Sequence, residues 1–224
     1  MAEIKICGIT NKEDALGVVN CDANALGFVF HPHSPRYVTP DIVREIIAIL
    51  PKQVVTVGVF VNMNADKVME IVNFCGLDMI QLHGDETPAY CRFFPNDDML
   101  IKAITAQAVS ENILDYSVQA FVVDTANANN FGGTGIICDW NLAYKVARLA
   151  PTILAGGINE KNIASALATV NPSAVDVCSG TEISYGKKDM TKVVKVIAIA
   201  KKHNVTGEFA NKNIFKKREI LTNG

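Results

Sequence analysis

Three residues able to move protons stand at the same kind of place in this 224-residue chain, at the end of a short apolar run. Cys7 closes Ile4-Lys5-Ile6-Cys7, His83 closes Met79-Ile-Gln-Leu-His83, and Asp124 closes Ala120-Phe-Val-Val-Asp124. Two further runs end in small residues: Gly156-Gly157 follows Thr152-Ile-Leu-Ala155, and Ser179-Gly180 follows Ala174-Val-Asp-Val177 and Cys178. A thiol in such a position can be a nucleophile, a base or a small core residue. A carboxylate there is a proton donor or the partner of a buried cation. Paired glycine loops let backbone N–H groups approach a phosphate, with a helix dipole behind them. Arg36, set in His31-Pro-His-Ser-Pro-Arg36, lies on a loop stiffened by two prolines, and a held guanidinium can clamp a carboxylate.

Other chemistries fit poorly. His31 and His33 lack a third ligand nearby, and the six cysteines include no Cys-x-x-Cys pair, so neither a metal site nor a disulfide framework is expected. The glycine-rich stretch Phe131-Gly-Gly-Thr-Gly135 lacks the Lys-Ser/Thr of a P-loop. It reads as a flap over the mouth of a pocket, with Gly133 beside the substrate.

The elements that must position these groups alternate along the chain. Apolar runs at 3–8, 25–30, 54–61, 79–83, 100–104, 120–124, 152–155 and 174–177 read as strands. Between them lie amphipathic segments with helix-start signals. Thr10 or Asn11 caps the first, Thr39 with Pro40 the second, and Asn64 the third. Others run from 84–86 to about 94, near 108–114 and from about 139. Asn159 is expected to cap a helix, and the last, 190–202, to bury Val193, Val194, Ile197 and Ala200.

Strict alternation implies parallel strands joined by right-handed crossovers. Eight units in this length match an α/β fold of one domain, a (β/α)8 TIM barrel over 1–203, with 204–224 as an extra helix or a frayed end. An open doubly wound sheet would place Gly-x-Gly-x-x-Gly after its first strand, and Cys7-Gly8-Ile9-Thr10-Asn11 is not that. In a barrel all the strand ends listed above face one mouth.

Composition narrows the partners. Hydrophobic residues make up 49% and charged residues 20%, with a net charge of −2, so nothing suggests nucleic acid. Met1-Ala2-Glu3 runs into a strand without a basic and apolar leader, and no apolar run is long enough for a membrane span. A cytoplasmic protein is expected, with no membrane partner.

The quoted blocks together resemble the phosphoribosylanthranilate isomerase family of tryptophan biosynthesis. They are Lys5-Ile-Cys-Gly-Ile-Thr10, Gly27-Phe-Val-Phe30 with Ser34-Pro-Arg36, Val57-Gly-Val-Phe-Val-Asn62 and Gln81-Leu-His-Gly-Asp85. With them come Asp124, Gly132-Gly-Thr-Gly135, Asp139-Trp140, Leu154-Ala-Gly-Gly-Ile158 and Val175-Asp-Val-Cys-Ser-Gly180 with Glu182. The resemblance implies an Amadori rearrangement of a small phosphosugar without a cofactor, in a monomer or homodimer. Asp124 would be general acid, Cys7 general base and Arg36 the holder of the anthranilate carboxylate. Gly156, Gly157, Ser179 and Gly180 would bind phosphate, while His83, Gly133 and Asp176 would line the mouth. One departure is Cys178, where the family usually shows a serine, removing a hydroxyl near the phosphate. The alternatives are a related phosphate-binding barrel, such as indole-glycerol-phosphate synthase, and a non-catalytic phosphosugar-binding barrel.

Period-2 alternation puts Lys5 and Cys7 on one face of the first strand, with Ile4 and Ile6 toward the helices. If the barrel closes, the eighth strand with Asp176 lies beside it. A buried Lys5–Asp176 pair beneath the thiol is therefore expected, with the ammonium favouring the thiolate.

Overall fold

The apolar runs become eight parallel strands: β1 (Glu3–Cys7), β2 (Ala25–Val29), β3 (Val55–Phe60), β4 (Met79–Leu82), β5 (Leu100–Ile104), β6 (Ala120–Val123), β7 (Thr152–Leu154) and β8 (Ala174–Val177). A computed structural model describes residues 1–104, 113–124, 138–210 and 212–218. β1 pairs with β2 on one side and with β8 on the other, so the sheet closes into a barrel in sequence order. Nearly every strand residue is buried because both faces are covered. Alternate residues divide between two cores. In β6, Ala120 and Val122 join the interior cluster, while Phe121 and Val123 join the larger cluster under the helices.

Seven α-helices occur among the described residues. Asn11 caps α1 (Lys12–Asn20), accepting from the Asp14 N–H at 2.8 Å. Thr39 caps α2 (Pro40–Ile47), with Pro40 in the first turn, where its missing N–H costs nothing. Asn64 caps α3 (Ala65–Cys75), which ends at Gly76 in the left-handed region. α4 (Pro88–Cys91) is a single turn and does not extend to Phe94. Asp139 caps α5 (Trp140–Ala147).

Two helix expectations need correction. α6 (Ile163–Val170) starts at Ile163, with Asn162 rather than Asn159 at its N-cap. Both asparagines turn back, donating through Nδ2 to the Gly157 carbonyl at 3.1 and 2.9 Å, so 159–162 forms a polar turn bound to the glycine loop. In α7 (Met190–Lys202) Val194 is 51% exposed and Val196 is buried instead, because the buried stripe runs 193, 196, 197, 200. The helix expected near 108–114 and the flap at Phe131-Gly-Gly-Thr-Gly135, with Gly133, lie largely or wholly outside the described residues. Ile113–Asp115 forms a 3₁₀ turn.

The segment between β8 and α7 is more ordered than a plain loop. Ser179–Thr181 forms a 3₁₀ turn, and β9 (Glu182–Ser184) pairs antiparallel with β10 (Lys187–Lys188). At the opposite end of the barrel, residues 212–218 cross the N-terminal openings of the strands without helix or strand. Ile214 and Phe215 are buried in the interior cluster beneath Ala25, Val55, Ala120 and Ala174. The strap is held by polar contacts to residues that begin strands. Glu3 accepts from the Ile214 N–H at 2.6 Å, the Gln119 amide donates to the Asn213 carbonyl at 2.8 Å, and Lys217 reaches Asp78 at 2.7 Å. No described helix is long and apolar enough to cross a membrane.

Candidate active site

The C-terminal ends of the strands form a pocket that gathers Cys7, Arg36, His83, Asp124, Asp176 and Cys178. Five of these are residues that the sequence points to from five separate places, and barrel closure brings them together.

The seam between β1 and β8 carries the thiol. Lys5 and Asp176 are register partners, and Lys5 Nζ lies 2.7 Å from Asp176 Oδ2, with the lysine wholly buried. Cys7 lies one layer above. On its β2 side stands Gly27, where a Cβ would fall 2.7 Å from the Cys7 Sγ and 2.8 Å from the Lys5 Cε, so only glycine leaves the thiol its place. On its β8 side stands Cys178. Cys178 lines the same pocket, and of the two thiols the ionised form is disfavoured on Cys178 and favoured on Cys7. Its pKa falls well below an ordinary thiol chiefly because Cys178 donates to it; burial opposes this, and the ammonium groups of Lys5 and Lys188 add to it. Cys178 keeps its proton, its pKa raised by the neighbouring Cys7 sulfur and by burial.

Across the pocket a hydrogen-bonded chain leads to the acid. The Gln81 amide lies 2.7 Å from His83 Nδ1, and His83 Nε2 lies 3.3 Å from Asp124 Oδ2. With the Gln81 N–H donating to Nδ1, the ring proton sits on Nε2 and faces the carboxylate. Gln81 Oε1 and Asp176 Oδ1 have no hydrogen-bond partner among the described residues, and both side chains line the pocket.

Arg36 is positioned, but the carboxylate it grips in this structure is the protein's own. Its Nε and Nη2 donate to the two oxygens of Glu182 at 2.8 and 2.7 Å, a bidentate pair, and its guanidinium lies 4.9 Å from the Tyr185 ring centre. Burial pushes the Glu182 carboxyl up, but Arg36 and Lys188 outweigh it and hold the group below its usual value. The β9–β10 hairpin brings Glu182 and Lys188 back over the strand ends. Lys188 is fully enclosed, and its ammonium donates to the Cys7 carbonyl at 2.6 Å, the Cys178 carbonyl at 3.2 Å and Glu182 at 3.2 Å. Sequence reasoning missed this role for Lys188, because Lys187-Lys188-Asp189 reads as solvated surface.

The glycine loops after β7 and β8 meet next to Cys178, and Gly156, Gly157, Ser179 and Gly180 are not among the residues that line the pocket. Gly156 and Gly157 both have left-handed φ, 78° and 65°. A Cβ on Gly180 would lie 2.0 Å from the Ile158 carbonyl, so the β7 and β8 loops are in direct contact. Ser179 opens the 3₁₀ turn between them.

A family model described as N-(5'-phosphoribosyl)anthranilate (PRA) isomerase matches residues 4–199. A protein named N-(5'-phosphoribosyl)anthranilate isomerase from Syntrophus aciditrophicus is 47% identical over 205 residues, 91% of this chain and 89% of its own length. A like-named protein from Geobacter metallireducens is 44% identical, covering 90% of this chain and all of its own. Among solved structures, phosphoribosyl anthranilate isomerase from Thermotoga maritima superimposes with a TM-score of 0.81 at 38% identity, over 90% of this chain and 99% of that one. A phosphoribosyl anthranilate isomerase in complex with reduced 1-(o-carboxyphenylamino)-1-deoxyribulose 5-phosphate gives a TM-score of 0.77 at 37% identity, with the same coverage.

Proposed function

The chain belongs to the N-(5'-phosphoribosyl)anthranilate isomerase family, and from that premise we propose how its own residues carry out the isomerisation of N-(5'-phosphoribosyl)anthranilate to 1-(o-carboxyphenylamino)-1-deoxyribulose 5-phosphate. The observation that carries the assignment is a thiol and a carboxyl group opening on one pocket, Cys7 and Asp124. Asp124 gives its proton to the furanose ring oxygen as the bond from that oxygen to C1' breaks, and the anthranilate nitrogen closes the imine. Cys7 then takes the C2' proton, leaving an enolamine that tautomerises to the ketone. The proton that Asp124 gives to the ring oxygen is matched by the one that Cys7 takes from C2', and exchange with solvent resets both groups.

The remaining groups hold the two ends of the substrate. Arg36, braced by Glu182, takes the anthranilate carboxylate, and Gly156, Gly157, Ser179 and Gly180 take the phosphate. Gln81 Oε1 and Asp176 Oδ1, which accept from no described residue, are acceptors placed for sugar hydroxyls. His83 orients the Asp124 carboxylate through Nε2. The reading belongs to a cytoplasmic amino-acid pathway, with the enzyme a monomer or homodimer.

The test is steady-state turnover of phosphoribosylanthranilate, followed by loss of anthranilate fluorescence with no indole formed. Cys7→Ala and Asp124→Asn are measured alongside. Turnover near wild type in both variants would show that the acid and base lie elsewhere.

A further inference from the structure

Cys7 and Cys178 line one pocket at the seam where the first strand meets the last. The register that pairs Ile6 with Val177 puts Cys7, the last residue of β1, beside Cys178, the residue that follows β8. One ammonium, that of Lys188, bonds to both their carbonyls, at 2.6 and 3.2 Å, and pins the two backbones side by side. Adjacent strands run about 4.7–4.9 Å apart, inside the roughly 4.4–6.8 Å between Cα atoms that a disulfide spans. The Cys178 Sγ stands 3.0 Å from where a Cβ on Gly8 would lie, the residue directly after Cys7, and both cysteines line the open pocket.

From this geometry we infer that Cys7 and Cys178 form a dithiol that hydrogen peroxide oxidises to a disulfide across the β1–β8 seam. The Cys7 thiolate attacks one peroxide oxygen, the O–O bond breaks, and the other oxygen leaves as water after taking a proton. The resulting sulfenic acid is attacked by the Cys178 sulfur, whose proton leaves with the hydroxyl as a second water. Two thiols thereby lose two electrons and two protons, and the peroxide is reduced to water. The other cysteines are unsuited to the first step. Burial pushes Cys75 and Cys91 up to about 11 and Cys138 to about 12, and it raises Cys21 as well. The consequence for activity rests on Cys7 being the base. Tied in a disulfide, it has no thiolate, and the isomerase is off until a dithiol reductant returns both electrons.

The enzyme is treated with hydrogen peroxide under native conditions, remaining thiols are alkylated, and the digest is read by mass spectrometry. The expected result is a linked peptide pair containing Cys7 and Cys178, two hydrogens lighter than the reduced pair. It appears as turnover falls, and dithiothreitol reverses both. Cys178→Ser, compared with its own untreated turnover, lacks the resolving thiol. Its Cys7 proceeds to sulfinic acid, and dithiothreitol recovers much less. Absence of the linked pair with Cys7 alkylated, or full reversibility in Cys178→Ser, overturns the dithiol. The base assignment is read separately: a linked pair with turnover intact supports the dithiol and removes Cys7 from catalysis, while no linked pair alongside an inactive Cys7→Ala does the reverse.

Discussion

Lys5 Nζ sits 2.7 Å from Asp176 Oδ2 inside the barrel, directly beneath the Cys7 thiol. Burial alone would lower the lysine, but Asp176 and Cys7 reverse that and secure the ammonium. Asp176 is also raised, to about 6, because burial outweighs Lys5, so the shift favours the charged form of the lysine but not of the carboxyl. The lysine has two anionic neighbours, whereas Asp176 Oδ1 has no donor among the described residues, so the pair keeps a charge under the thiol rather than adding stability.

Replacing Lys5 tests that reading. Without the ammonium the thiolate loses a favourable charge, so Cys7 holds its proton to higher pH. In Lys5→Met the acid limb of kcat/KM, and of Cys7 alkylation by iodoacetamide, moves to higher pH than in wild type. An unmoved limb would remove Lys5 from the activation of the thiol. Denaturant unfolding of the same variant should show a loss of about 3–5 kcal/mol, the usual result of leaving one member of a buried pair alone.

Cys7→Ala and Asp124→Asn should each lower kcat by about 10²–10⁴-fold, the range for a positioned acid or base. Product inhibition constants measured on the same proteins separate chemistry from binding and should stay near wild type.

Glu182→Gln leaves the Arg36 guanidinium without its bidentate brace. Positioning of the anthranilate carboxylate suffers first, so KM should rise more than kcat falls. A pH signature accompanies it. The folded Glu182 carboxyl lies below its ordinary value of 4.5, so between those two values the folded state holds fewer protons than the unfolded one. Its contribution to stability is present above 4.5 and is lost as pH falls through the folded value. Midpoints of thermal unfolding taken down through this acid range should fall less steeply in Glu182→Gln than in wild type.

Gly180→Ala would push a methyl group to within 2.0 Å of the Ile158 carbonyl, and a backbone oxygen cannot move aside without displacing the Gly156-Gly157 loop. The expected outcome is a raised KM for the phosphorylated substrate and weaker competitive inhibition by inorganic phosphate. An unchanged phosphate inhibition constant would place the phosphate elsewhere.

The strap under the barrel is testable through stability. Ile214 and Phe215 fill the bottom of the interior cluster. Ile214→Ala should cost about 2–5 kcal/mol and Phe215→Ala about 3–5 kcal/mol in denaturant unfolding. The pocket opens at the opposite end, so KM should change little in either variant.

Much of this protein is legible in one dimension, because local periodicity encodes which face of an element is buried. The apolar runs and their alternation with helices follow from it, and so does the barrel; side-chain type marked the caps Thr39 and Asn64, while the choice between Thr10 and Asn11 fell to Asn11 only in the fold. Period-2 alternation was even enough to place Lys5 against Asp176 once closure was assumed. Residues at strand ends were found for the same reason, since a parallel barrel sends every strand end to one mouth.

What the chain order does not contain is where irregular segments return to. Glu182 and Lys188 lie in a polar stretch with no period, and only the fold of the β9–β10 hairpin buries them against Arg36 and Cys7. The carboxylate expected at Arg36 from outside is met first by one from the chain itself. Residues 212–218, beyond the 4–199 that the family model matches, carry two apolar side chains whose destination is the barrel floor. The contact of Cys178 with Cys7 spans 171 positions of sequence and exists only because the last strand closes onto the first. Sequence therefore determined the elements and the reactive groups at their ends. Tertiary closure alone decided which groups touch, because contacts between distant, aperiodic segments are set by how the whole barrel packs.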